Sequence, residues 1–97
     1  MNVISKTGLK DLVRKHRSTA DDLAEWHKRA RKAEWRRFAD VRKDFPSADQ
    51  VGAVLIFDIQ HNQYRLIARV NYLYRTIYVK DLLTHKECDR KEWMKWA

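Results

Sequence analysis

The sequence predicts an α+β domain with its helices first and an antiparallel sheet last. Two observations carry this expectation. Before Pro46 the apolar residues recur at helical spacing, and after it they alternate among β-branched and aromatic residues. The 97 residues are 44% hydrophobic, with four Trp, four Tyr, three Phe, two Gly and one Pro, which suits one packed core and leaves no room for two. A single domain over residues 1–97 is expected, with no internal repeat, low-complexity segment or linker.

The elements follow in order. "MNVIS" reads as a short first strand. "KTGLKDLVRKH" carries Leu9, Leu12, Val13 and His16 on one helical face. "STADDLAEWHKRARKAEW" opens on Thr19 with Asp21 and Asp22 in the first turn, a helix start, and buries Leu23, Trp26, Ala30 and Ala33. A third helix is expected near residues 35–44, burying Phe38 and Val41 and stopped by Pro46. "AVLIFDI", "YRLIARVNY" and "TIYVKDLL" then make a three-strand antiparallel meander, joined by the hairpin-length turns "QHNQ" and "LYR". In "LLTHKECD", Thr84 and Glu87 fit the S/T-x-x-E capping box, so a C-terminal helix with Trp93 and Trp96 begins there.

Charge narrows the function classes. A formal net charge of +8 on so small a domain attracts polyanions, nucleic acid above all. Six of the ten residues 28–37 are basic: Lys28, Arg29, Arg31, Lys32, Arg36 and Arg37. They surround much of the helix, so part of the set is a solvated face and part is expected to meet RNA phosphates. Lys86, in the first turn after the capping box, joins them, because backbone N–H groups there favour an anion. The single Cys88 forms no internal disulfide and reads as packing. With no charged-then-apolar leader and no apolar run near the ~18–20 residues of a membrane span, a cytosolic protein without membrane contact is expected.

Strand parity suggests chemistry. Tyr64, Leu66, Ala68, Val70 and Tyr72 should pack on the helices. Arg65, Ile67, Arg69 and Asn71 point the other way, joined by Tyr78 and Lys80 of the next strand. Burying unpaired cations is costly, so this polar face is expected to lie open, with His85 a few residues beyond it. Metal-free, in-line cleavage of RNA needs such a set: an acid/base near neutral pH and cations for the crowded phosphorane. No metal-ligand spacing appears, so no cofactor is expected. The candidate catalytic residues are His85, Arg65, Arg69, Lys80 and Tyr78. His16, His27 and His61 read as structural. A basic module that binds RNA or the ribosome without cutting shares the charge pattern; it has no need of a His within reach of the Arg face.

The series "KAEW", "FPSADQV", "FDI", "NQYRLIARVNY" and "IYVKDLLTHKECD" resembles the HigB-type toxins of bacterial toxin–antitoxin modules, within the RelE/ParE superfamily. The resemblance spans about residues 20–93, and "YRLIARV" followed by "THKE" is its most specific part. It implies a RelE-like fold, an endoribonuclease acting on mRNA in translating ribosomes, and a HigA-type helix-turn-helix antitoxin as partner. It places the family's strand arginine at Arg65 and its Thr-His-x-Glu segment at Thr84, His85 and Glu87. Arg69 and Lys80 come from strand parity instead. Gln60 and His61 stand where family members commonly carry Gly-Gly, which implies a different hairpin geometry. Cys88 stands where they commonly carry Tyr, a role Tyr78 or Tyr72 could fill. Some superfamily members act on a protein target, gyrase, and cut no RNA.

Overall fold

The computed structural model describes residues 1–6, 8–61 and 63–97. Thr7, at the lead-in to the first expected helix, and Asn62, in the "QHNQ" turn, lie outside the described residues. The chain runs β1 (Asn2–Ser5), α1 (Leu9–Lys15), a 3-10 turn (Arg17–Thr19), α2 (Ala20–Lys32), α3 (Phe38–Asp44), β2 (Asp49–Val51), β3 (Val54–Ile59), β4 (Tyr64–Asn71), β5 (Thr76–Thr84), α4 (His85–Asp89) and a final 3-10 turn (Glu92–Trp96). This is the α+β order expected, with one strand more than the meander.

The strands form one sheet in the order β1-β5-β4-β3-β2. β2, β3, β4 and β5 are antiparallel neighbours, while β1 joins β5 in parallel, with Val3 opposite Ile77. Ser5 is the last residue of β1 in register, opposite Val79, and β5 then bulges: Ala68 faces Val79 but Ile67 faces Asp81, leaving Lys80 as the extra residue. Beyond the bulge β5 has lost β1 as a neighbour, and Lys15 of α1 reaches Asp81 there, Nζ to Oδ1 3.6 Å.

One face of the sheet packs on the helices. Leu55, Phe57 and Ile59 of β3, Leu66, Ala68 and Val70 of β4, and Ile77, Val79 and Leu82 of β5 meet Leu12, Leu23, Trp26, Ala30, Ala33 and Val41. Rings of Trp26, Trp35 and Phe45 surround Phe57 with centroids 5.2–6.1 Å away. The stripe expected of α2 is the buried one. Its start differs in detail: the Thr19 hydroxyl donates back to the His16 carbonyl at 2.6 Å and does not cap the helix. α3 begins at Phe38, so Trp35 is buried from the irregular segment between α2 and α3, its indole N–H donating to Asp44 Oδ2 at 2.8 Å. The N-terminal ammonium donates to the carbonyls of Ala30, Arg31 and Ala33 at the C-terminal end of α2, where Ala30 also accepts from the Ala33 N–H.

The opposite face departs from expectation. It lies open only at Arg69, Tyr78 and Lys80; Val54, Ile56, Ile67 and Leu83 are covered by Trp93, with Cys88 and Trp96 beside them, in a second apolar cluster. Ile67 is 0% exposed. The cover is two short pieces where one C-terminal helix was expected. α4 ends at Asp89, Lys91 turns through a left-handed φ of 59°, and the 3-10 turn follows. That reversal brings Trp93 back, its indole N–H donating to the Cys88 carbonyl at 2.9 Å.

Candidate functional site

Trp93 divides the outer face of the sheet into two ends. At one end β5 runs into α4 through the expected capping box. The Glu87 N–H donates to Thr84 Oγ1 at 3.2 Å, and the Thr84 N–H donates to Glu87 Oε1 at 2.9 Å. The second bond, from the Thr84 backbone, holds the Glu87 carboxyl below its ordinary range; burial opposes it. The box fixes His85 as the first helical residue. His85 is 58% exposed, and its Nδ1 lies 3.4 Å from Asp89 Oδ2, one turn on. The carboxylate thus stands on the Nδ1 side of the ring. Lys86 beside it is also exposed.

Arg65 sits on β4 at the same end, opposite Leu83 of β5 and Asp58 of β3. Its Nε lies 3.1 Å from Asp58 Oδ1, and its side chain is only 14% exposed. The guanidinium was expected on an open face; it is instead largely enclosed and ion-paired, the condition under which a buried charge is tolerated. Its charge reaches Cys88, whose thiol is pushed up first by burial, with Arg65 pulling the other way. Cys88 is thus a packed thiol, as its sequence context suggested, and not an activated one.

At the other end stand Arg69, Tyr78 and Lys80. Arg69 and Tyr78 face each other across β4 and β5. Lys80, the bulge residue, carries its Nζ 5.8 Å from the centre of the Tyr78 ring, a cation–π contact. All three are exposed, Tyr78 at 39%. Five steps along β4 separate Arg69 from Tyr64, the partner of Thr84. At a strand rise of ~3.4 Å the two ends lie roughly 17 Å apart. The structure therefore gathers Arg65 with His85, and Arg69 with Tyr78 and Lys80, but does not unite the five.

Between the ends lies a cleft of about 230 Å³ lined by Lys15, Asp81, Leu83, Glu87, Arg90, Glu92, Trp93, Lys95 and Trp96. A second cavity, about 460 Å³, adjoins Tyr78 and is lined by Ile4, Lys6, Val79, Lys80 and Trp96 as well. Strand parity gave no sign of Trp96 and Lys6, because a distant strand and the returning C-terminal turn supply them. Tyr72 is removed from both ends: it packs against the helix-side core, its hydroxyl donates to Gln50 Oε1 at 2.8 Å, and burial pushes its pKa up to about 12.

The other histidines keep structural places. His16 ends α1 and packs its ring on Tyr64 at 4.7 Å. His27, on α2, has its pKa lowered by burial and by Arg31. His61 lies in the β3–β4 turn, where it and Gln60 both adopt left-handed φ, 51° and 53°. The glycine-like geometry is therefore present without glycine. Along α2 and beyond it, Lys28, Arg29, Arg31, Lys32, Arg36 and Arg37 are exposed. Arg29 differs from the rest, donating to the Asp44 carbonyl and lying 4.5 Å over the Phe45 ring. Among the described residues, no group of three or more His, Cys, Asp or Glu side chains could hold a metal ion, and no helix is long and apolar enough to cross a membrane.

The arrangement can deliver one imidazole, one fixed guanidinium and a cationic, aromatic surface to a phosphodiester chain. Comparison with known proteins points the same way. Residues 19–91 match the model of the HigB toxin family, described as the RelE-like toxic component of a toxin–antitoxin system. The mRNA interferase HigB of Escherichia coli O6:H1 (strain CFT073) is 25% identical over 93 residues, covering 93% of this chain and 90% of its own. The mRNA interferase toxin HigB of Escherichia coli K12 is 25% identical over 92 residues, covering 92% and 88%. An mRNA interferase HigB of Shigella flexneri matches to the same extent.

Proposed function

The chain belongs to the HigB toxin family, the RelE-like toxic component of a toxin–antitoxin system, and from that premise we propose that it is a ribosome-dependent endoribonuclease that cuts mRNA without a metal ion and so halts translation. The observation that carries this reading is His85. An exposed imidazole, oriented by Asp89 and fixed by the Thr84–Glu87 box, stands at the same end of the sheet as Arg65. A module that only bound RNA would have no use for a positioned acid/base there.

In the proposed reaction a ribose 2′-oxygen attacks the adjacent phosphorus as its proton leaves, and the bond from phosphorus to the 5′-oxygen breaks. The products are a 2′,3′-cyclic phosphate and a 5′-hydroxyl. One proton must be taken from the 2′-OH and one given to the 5′-oxygen, and His85 carries one of these two transfers. Arg65, held by Asp58, supplies positive charge to the phosphorane from a fixed direction, which saves reorganisation in the transition state. Arg69, Tyr78 and Lys80 lie too far along the strand to act on the same phosphate, and in this reading they hold the RNA chain beyond it. The exposed cations of α2 and the segment after it, with Lys86, draw the protein to ribosomal or messenger RNA.

The proposed partner is a HigA-type helix-turn-helix antitoxin, and the proposed place of action is the cytosol. Mapping of mRNA 5′ ends after induced expression tests the activity. New ends within translated codons should appear with the wild-type chain and vanish with His85→Ala. Growth arrest that persists in both without new ends would favour a non-catalytic ribosome binder or a protein-directed toxin.

A further inference from the structure

We propose that the cavity framed by Tyr78, Trp96, Lys80, Lys6 and Ile4 is a binding subsite for one unpaired base of single-stranded RNA and its neighbouring phosphate. The proposal deepens the reading of the chain as an RNA-directed toxin by placing a second point of contact away from the cut. Three elements distant in sequence build it. Tyr78 projects from β5 and pairs in register with Ile4 of β1, Lys80 is thrown outward by the bulge, and Trp96 arrives on the terminal 3-10 turn. The cavity, about 460 Å³, is roomier than one base requires, and none of its lining residues is acidic.

The chemistry matches single-stranded nucleic acid better than a protein partner. Two aromatic side chains line the cavity, and a base stacks on such rings with little regard to sequence, while two lysines beside them suit the phosphates that flank it. Lys80 already rests on the Tyr78 ring, and Lys95 lies 4.8 Å over the Trp96 ring, so both aromatic systems sit in positive potential. Arg69, across the strand from Tyr78, extends the cationic track. An apolar peptide anchor would gain nothing from this ring of cations. A strand of RNA with its scissile phosphate at His85 would cross the cover formed by Trp93 and reach this cavity roughly 17 Å away along the strand rise.

Binding of a short 2′-O-methyl RNA, which has no 2′-OH to react, reads this subsite without cleavage or ribosomes. Fluorescence anisotropy on the full chain should show that one abasic position in the oligonucleotide weakens binding about tenfold, and that Trp96→Ala weakens the intact oligonucleotide by a similar factor. In Trp96→Ala the abasic penalty should disappear, while Trp96→Phe, which keeps a ring, should retain it. Trp96 also touches the second apolar cluster, so the abasic scan on the unaltered protein serves as the arm independent of folding. Uniform tolerance of abasic positions, absence of oligonucleotide binding, or loss of antitoxin binding in Trp96→Ala with RNA binding intact would each overturn the proposal. A chain that binds RNA in this way but cuts nothing would refute the nuclease and leave the subsite standing.

Discussion

Arg65 and Asp58 face each other across β4 and β3 with Nε and Oδ1 3.1 Å apart, their side chains 14% and 25% exposed. A pair this enclosed is structural as well as electrostatic. Asp58→Ala or Arg65→Ala is expected to cost about 1–2 kcal/mol, less than a fully buried pair because solvent still reaches both groups. Urea denaturation of both single variants and the double variant checks this. The double variant should cost less than the two singles summed. Additive losses would mean that the pair has no coupling.

His85→Ala should behave in the opposite way. Its exposed ring makes one contact with an exposed carboxylate, so stability is expected to change by no more than ~0.5 kcal/mol. Cleavage in a purified translation system should fall by about 10²–10⁴. Arg65→Ala should lose activity and stability together, and His85→Ala activity alone. A His85→Ala variant that melts early would reassign the residue to the fold.

Glu87 gives a pH signature. Its carboxyl is held below the ordinary range chiefly by the Thr84 backbone N–H. The native chain therefore takes up this proton less readily than the unfolded chain, and acidification favours unfolding. The contribution is complete above the unfolded value of about 4.3 and fades as pH falls through the lower native value. Wild type should thus lose its advantage over Glu87→Gln below about pH 4.3, measured by denaturation across a pH series. A gap that stays constant with pH would contradict the assignment.

The β3–β4 turn carries a removable strain. Left-handed backbone costs a residue with a Cβ about 1–2 kcal/mol, and His61 is exposed with φ 51°. His61→Gly should raise stability by about 0.5 kcal/mol after the greater freedom of glycine in the unfolded chain is counted. Thermal melting of the two proteins decides it.

The basic residues around α2 should separate into two kinds. Lys28→Glu with Lys32→Glu is expected to flatten the salt dependence of RNA binding, by about 0.7 in log–log slope for each phosphate no longer neutralised, with the greatest weakening at low salt. Single-turnover cleavage at saturation should be unchanged. Arg29→Ala should also cost about 1 kcal/mol of stability, because it gives up the Asp44 carbonyl and the Phe45 ring. Equal stability of Arg29→Ala and wild type would place Arg29 with the solvated cations.

Local pattern made much of the fold legible. The stripe Leu23, Trp26, Ala30 and Ala33, the alternation through β4 and the Thr84–Glu87 box all rest on neighbours within a turn or a strand. What could not be read depends on distant partners. β2 has three residues and exists through its pairing with β3, and β1 lies parallel to β5 only because the chain returns to it. Trp93 and Trp96, three apart, imitate a helical stripe, and nothing local marks Lys91 as the reversal. One clue to the covered face was present: Ile67, an aliphatic residue between Arg65 and Arg69, has no reason to alternate with arginines on a face bathed in water. For the same reason the sequence offered the candidate residues as one set, where the structure separates them into two ends.

The parallel pairing of β1 with β5 has a temporal consequence. In synthesis β1 precedes the neighbour that it needs by the helices and all three hairpin turns, for β5 lies at residues 76–84. That one pairing joins residues far apart in the chain, and its closure waits on a long loop. His85 follows β5 directly, and the aromatic cover follows His85. The sheet therefore cannot gain β1 until β5 is made, and the surface proposed to face RNA forms only with or after that strand.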